Sequence, residues 1–314
     1  MTQNVGLELA IALLCACIVA YCAVFYAQQR RFPGGFELTS TVNNTMPLVL
    51  AGMAQTLVVV TRGIDLSVGG IMDLSNATAA VTLGTTPGTM VLWSVIVLLI
   101  GAACGLVNGL LVGIGRLQPI LVTLATLSIY QGIAIRVLPQ PGGQVPDVYT
   151  AVLTNTNAPW ALVYVVALAL GWTAFRRTRL GVAIYAIGND PQAAQANGIP
   201  ARFVLIITYV LAGTLSAAAG LFLAASATAG DATTGNGFVL TSIVAVVLGG
   251  ISLFGGRGSA VGAIMGAFVI NMIVNILFFA HIDPLYQAFY EGVFLLIAVL
   301  AANGIGMIVK RRAA

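Results

Sequence analysis

Apolar runs long enough to cross a lipid bilayer follow one another along this chain with little between them. They fall near residues 7–27, 46–62, 66–84, 91–114, 119–137, 159–175, 203–224, 239–254, 260–280 and 285–308. A spanning helix needs about 20 largely apolar residues. Inside a bilayer the backbone has no water to bond, so segments of this kind become helices. Several runs are short or broken by Gly and Pro, which sets the expectation at about ten transmembrane helices. Only 7% of the 314 residues are charged and 59% are hydrophobic; a soluble domain carries about 25% charged residues. The fold class expected is an all-α polytopic membrane protein, one transmembrane domain over 1–314.

The charges sit in small groups between the runs. Thirteen basic and nine acidic residues leave a net +4, distributed as topological signals and not as a nucleic-acid patch. Arg176, Arg177, Arg179 and Arg202 flank a loop at 176–202, and Lys310, Arg311 and Arg312 stand at the C-terminus. Both groups are expected to be cytoplasmic, with four runs between them. Counting back places Arg257, Arg116 and the N-terminus inside as well. Arg30 and Arg31 then fall outside, against the rule. The N-terminus, MTQNVGLE, has no basic n-region, so the first run reads as a retained span. A Pro- and Gly-rich external loop is expected at 138–159.

Reactive chemistry is absent from the pattern. Cys15, Cys17, Cys22 and Cys104 all lie inside apolar runs and read as small buried side chains. With one histidine, His281, beside Asp283 in a short turn, no metal site is expected. No GxSxG or HExxH motif appears, so no catalytic residue is assigned. GISLFGGR, Gly250 to Arg257, imitates a phosphate-binding GxxxxGK[ST], but Gly256 stands at the lysine position and the chain's one lysine is Lys310. No cofactor site is expected either. The glycines read instead as points where backbones turn or approach closely.

One segment is polar and carefully bounded: YAIGNDPQAAQANGIPAR, Tyr185 to Arg202. Asp190 is a good N-cap and Pro191 sits at the first helical position. Gly198 is a natural left-handed stop, and Pro200 blocks continuation. About two turns result, too few to be stable alone in water. Either the helix rests on its own protein, or Ala193, Ala194, Gln195 and Ala196 dock into something else.

That segment resembles the cytoplasmic coupling loop of the ribose-type, simple-sugar permeases of bacterial ABC importers. RGIDLSVGG, Arg62 to Gly70, and VVLGGISLFGGRGS, Val246 to Ser259, match the same family in the same order, over about residues 40–308. The resemblance implies a permease subunit in the inner membrane, with ten helices in inverted halves around one pathway. It implies a second permease, identical or homologous, and two ATP-binding subunits or one double-length ATPase. It also implies an external binding protein, periplasmic or lipid-anchored. ATP and Mg would belong to the ATPase. By the same likeness Ala186 to Asn197 form a helix that inserts into the ATPase, with Ala186, Gly188, Asn189, Asp190, Pro191, Ala193, Ala194 and Gly198 as the coupling residues.

Polar residues inside spans mark pathways or interhelical hydrogen bonds. Asp73 and Asn76 share one helix face, as do Asn271 and Asn275, while Asn108 and Gln131 stand singly. The family usually carries a small residue where Asp73 stands, a departure that bears on substrate choice. Gly63, Asp65, Ser67, Gly69, Gly250, Gly255 and Gly256 form the structural motifs, with Asp65 and Ser67 expected to cap the following helix. The rival readings are a branched-chain amino-acid permease, an ion-coupled secondary transporter using Asp73 or Glu291, and a membrane scaffold.

Overall fold

The computed structural model describes residues 3–156, 158, 160–283, 286, 289, 290, 292, 293 and 296. Twelve helices occur among the described residues: α1 (Gln3–Gln29), α2 (Gly35–Val60), α3 (Val68–Thr82), α4 (Pro87–Gly113), α5 (Pro119–Val137), α6 (Asp147–Leu153), α7 (Trp160–Phe175), α8 (Arg179–Asn189), α9 (Pro191–Ala196), α10 (Ala201–Ala227), α11 (Asn236–Leu248) and α12 (Ala260–Phe279). There is no strand among these residues, only an isolated bridge between Gly142 and Gly230.

Among the described residues six helices have the length and composition of a full span: α1, α2, α4, α5, α10 and α12. The expected runs at 159–175 and 239–254 form the shorter apolar helices α7 and α11. The run at 66–84 forms α3, only 15 residues long. Most of the run at 285–308, with Glu291 and the basic C-terminal group, lies outside the described residues.

The most polar span is the most enclosed. α2 has a mean hydropathy of 1.2 over its spanning window and 94% of that window is buried; for α1 the figures are 2.5 and 17%. Lipid selects apolar side chains, whereas a helix surrounded by helices can carry polar ones that find partners. Asn43 on α2 accordingly donates to the Thr154 carbonyl at 3.0 Å. α2 packs on α10, α12, α11 and α7, and α3 packs on α10, α5 and α4.

The most extensive helix pair is α4 with α10. Gly101, Gly105, Gly109 and Gly113 recur every fourth residue down one face of α4. A methyl group on Gly109 would lie 2.8 Å from Ile206 Cα, and one on Gly105 2.8 Å from the Tyr209 carbonyl carbon. Small residues let the two backbones approach until dispersion contacts and weak hydrogen bonds form along the whole crossing. The four-residue spacing of these glycines is plain in the sequence and is the signal by which the crossing can be found.

Contacts between distant segments define two ends. At one, Gly6 meets Gly250, Gly113 meets Arg202, and Gly188 meets Val60 and Gly256. At the other, Gly142 and Gly230 exchange backbone hydrogen bonds, Gln144 N–H donates to the Ala80 carbonyl, and Val145 N–H donates to that of Thr228. Arg30 and Arg31 form the corner between α1 and α2, where Arg31 is ion-paired with Glu37 and stacks 5.2 Å over Phe25. That local pairing gives Arg31 a structural role at this corner.

Candidate functional site

The site begins with a break. Asp190 is extended, at φ −156° and ψ 105°, and ends α8 while beginning α9. Its Oδ1 accepts from the N–H groups of Gln192 and Ala193, at 2.9 and 3.0 Å. This is the N-cap that its type and position lead one to expect. Those two N–H donors, Ala193 first, hold the Asp190 carboxyl below the usual carboxylate range. Gly198, at φ +80°, terminates the turn as a left-handed residue.

The single helix expected over Ala186 to Asn197 is therefore two helices meeting at an elbow. Ala186, Gly188 and Asn189 belong to α8, and Pro191, Ala193 and Ala194 to α9. The physical reason is Pro191, which disfavours helical geometry in the residue before it. α8 is amphipathic, burying Gly181, Ile184, Ile187 and Gly188 against the bundle. In α9 only Ala194 is buried, and Gln192, Ala193, Gln195 and Ala196 remain exposed.

The elbow is clamped by both other motifs. Arg62, itself at φ +69°, donates through Nε to the Gly188 carbonyl at 2.7 Å and through Nη2 to that of Asn189. The N–H of Gly256 donates to the Val60 carbonyl at 2.9 Å, and the Tyr185 hydroxyl to the Gly258 carbonyl at 2.6 Å. Arg176 stacks 5.2 Å from the Tyr185 ring. Gly256 has φ +69°, and a methyl there would lie 2.5 Å from the Asn189 side chain. Glycine is required twice over, by conformation and by space. Gly255 packs against Arg62 and Val60 in the same way, and Gly250 against Gly6. Three segments, joined by hydrogen bonds between residues 73 to 196 apart in sequence, thus build one corner.

Beside it, Asp65 Oδ1 accepts from both the N–H and the hydroxyl of Ser67, at 2.8 and 2.6 Å. The Asn108 amide donates to that hydroxyl at 2.8 Å. All three side chains are buried. Ser67 does not cap α3 as expected: its backbone is already helical, at φ −72° and ψ −11°, and its hydroxyl is engaged by Asp65 and Asn108. Gly63 and Gly69 are close-approach points, against Val58 and Tyr209 and against Val239 and Gly235.

Asp73 and Asn76 do share one face of α3, and both reach the same segment. Asp73 Oδ1 accepts from Gly235 N–H at 2.6 Å, and Asn76 Oδ1 from Asp231 N–H at 2.7 Å. Both are buried. Asn275 donates to Asn271 at 3.1 Å and to Thr41 at 3.3 Å. It borders a cavity of about 470 Å³ with Tyr21, Arg31, Glu37 and Thr41. Gln131 is half-buried on α5. The polar pairs are therefore dispersed over separate helix contacts. Among the described residues no group of His, Cys, Asp and Glu could hold a metal ion.

Six apolar helices of spanning length among the described residues, bundled with shorter ones, define the class: a multi-pass membrane protein. The chain belongs to the family described as "Branched-chain amino acid transport system / permease component", which matches residues 38–301. It is similar to the ribose import permease protein RbsC of Escherichia coli K12, 33% identical over 278 residues covering 85% of each chain. It is 34% identical to the fructose import permease protein FrcC of Rhizobium meliloti, over 86% of this chain and 78% of that one. It is 33% identical to the autoinducer 2 import system permease protein LsrC of Yersinia pseudotuberculosis, over 85% and 76%. No solved structure matches. The branched-chain amino-acid label rests on the family description alone; these relatives carry sugar and autoinducer names.

Proposed function

We propose that this chain is the membrane-spanning permease of an ATP-driven importer for a sugar or a similarly hydroxylated small molecule, in a bacterial inner membrane. The observation that carries the proposal is the elbow. α9 is too short to persist alone, yet its cap is complete, its base is braced by Arg62 and Gly256, and its outer face is exposed. Such a helix suits a groove in another protein. Ala186, Gly188 and Asn189 act as the braced base of the coupling element; Asp190, Pro191 and Gly198 bound it; Ala193 and Ala194 form its helix.

In this reading 1–314 is one transmembrane domain and the elbow end is cytoplasmic, with both termini. The shorter α3, α7 and α11, together with the run at 285–308, complete ten crossings in inverted halves. ATP is hydrolysed by two ATP-binding subunits, or one of double length, and solute arrives from an external binding protein. A second permease closes the pathway. The sugar imported by the named relatives supports the solute class over a branched-chain amino acid.

The test is uptake by vesicles holding the assembled transporter. Asp190→Arg combined with Gln195→Arg should abolish ATP-dependent uptake and reduce recovery of the ATPase with the permease. Normal uptake and normal recovery would defeat the coupling assignment. Uptake that persists without ATP and follows a pH gradient would instead favour an ion-coupled carrier using Asp73.

A further inference from the structure

Between α10 and α11 the chain does something unusual for a membrane interior. Gly230 lies against Ala80, near one end of α3, and Gly235 lies against Gly69, near the other. The segment 230–235 therefore runs beside α3 over about eleven helical steps, about 16 Å at 1.5 Å per residue. That is about half of a 30 Å hydrocarbon core. α11, with 13 residues, covers the remaining depth. Non-helical backbone at such depth persists only where protein buries it or where it borders water.

The segment has two unlike sides, one buried and one exposed. On the α3 side Asp73 and Asn76 supply acceptors for Gly235 and Asp231 N–H, and Ala232 and Gly235 are buried. On the other side Ser226, Thr228, Thr233, Thr234 and Asn236 are all exposed. The Thr233 hydroxyl donates to Asp231 Oδ1 at 2.7 Å, which brings a carboxylate to the same stripe. Exposed faces elsewhere carry Val91, Leu92, Val95 and Leu99 on α4 and Leu121 and Leu124 on α5. Hydroxyls and an amide facing hydrocarbon would each lose hydrogen bonds to water without replacement.

We infer that the stripe Thr228, Asp231, Thr233, Thr234 and Asn236 lines the aqueous pathway and hydrogen-bonds a neutral, hydroxyl-rich solute, while Asp73 and Asn76 are positioning residues that hold it in place. This rests on the permease reading above. Hydroxyls and an amide both donate and accept, which matches a polyol. Asp231 accepts only, and its charge disfavours anionic solutes.

The experiment uses the complete transporter in vesicles, with Cys15, Cys17, Cys22 and Cys104 replaced by alanine. Thr233→Cys, Thr234→Cys and Asn236→Cys are each treated with a charged, membrane-impermeant methanethiosulfonate; Leu99→Cys on α4 is the lipid-facing comparison. The stripe positions should react at least ten-fold faster than Leu99→Cys, and their modification should stop uptake. Rates no faster than that of Leu99→Cys would overturn the inference. A second arm needs no cysteine: Thr233→Val with Thr234→Val should lower uptake at least ten-fold with the assembly intact, and unchanged uptake would overturn it too. ATP-dependent uptake with an unreactive stripe defeats this inference alone; ATP-independent uptake defeats the permease reading.

Discussion

Arg62 and Gly256 touch the elbow from two sides, and each does something no other residue type would do as well. The guanidinium spans two successive carbonyls, of Gly188 and Asn189, with a planar fork of donors. Lysine has the charge without the fork, so Arg62→Lys should fall between the natural chain and Arg62→Ala in ATP-dependent uptake. Gly256→Ala forces a side chain into a left-handed backbone beside Asn189, at a cost of about 1–3 kcal/mol. Loss of ATPase from the purified complex, with the helical content retained, is the outcome to measure. Asp190 gives a pH prediction. Its carboxyl titrates lower in the fold than in the unfolded chain because Ala193 and Gln192 donate to it. The stabilisation is then full above the unfolded pKa and is lost as pH falls through the folded one. Between about pH 8 and pH 5 ATPase recovery should not change on this account, and Asp190→Asn, an uncharged cap, should behave alike.

At the scale of elements, the α4–α10 crossing is the most extensive helix contact. Gly105→Ala places a methyl against the Tyr209 backbone and should cost about 1–3 kcal/mol by overpacking, seen as a lower melting temperature in detergent. Gly132→Ala on α5 meets nothing within 4 Å and should leave the melting temperature unchanged or slightly raised. A pair of equal shifts would remove the packing explanation. The helix breaks follow local rules that can be read in advance: Pro191 starts α9, Gly198 ends it, and Pro87 and Pro119 sit at the starts of α4 and α5. The amphipathic spacing of α8 is equally legible, whereas the helix over residues 186–197 that the family resemblance implies runs across the break that Asp190 and Pro191 mark.

For the molecule as a whole, the proposed orientation can be tested at its least regular point. Arg30 and Arg31 face the side opposite the elbow, where basic residues are disfavoured. A cysteine at Arg30, in the same cysteine-free chain, should react with an impermeant reagent added outside intact cells, and one at Gln195 only after the membrane is opened. The reverse pattern would invert the topology. The exposed apolar faces of α1, α4 and α5 suit lipid or a second permease, and the mass of the gently solubilised complex distinguishes these. Two permeases and two ATPases is the expected composition.

Apolar runs, the cap at Asp190 and the stop at Gly198 were determined by sequence alone, because each depends on neighbours within about four residues: on hydrogen bonds from i to i+4, on a cap reaching N2 or N3, on a φ that glycine alone takes easily. The number of full-length spans was less legible. Hydropathy does not distinguish a helix of full spanning length from a shorter apolar one such as α11, with 13 residues. Tertiary structure decided which partners the polar residues meet. Asn108 stands in an apolar run, and the amide finds its partner in Ser67, 41 residues away. Asp73 and Asn76 share a face as their spacing demands, but only the docking of α10 and α11 supplied the backbone amides that they hold. The corner of Arg62, Gly188 and Gly256 is the same case. Contacts between residues so far apart are set by how helices pack, and helical periodicity carries no information about which helix will be the neighbour.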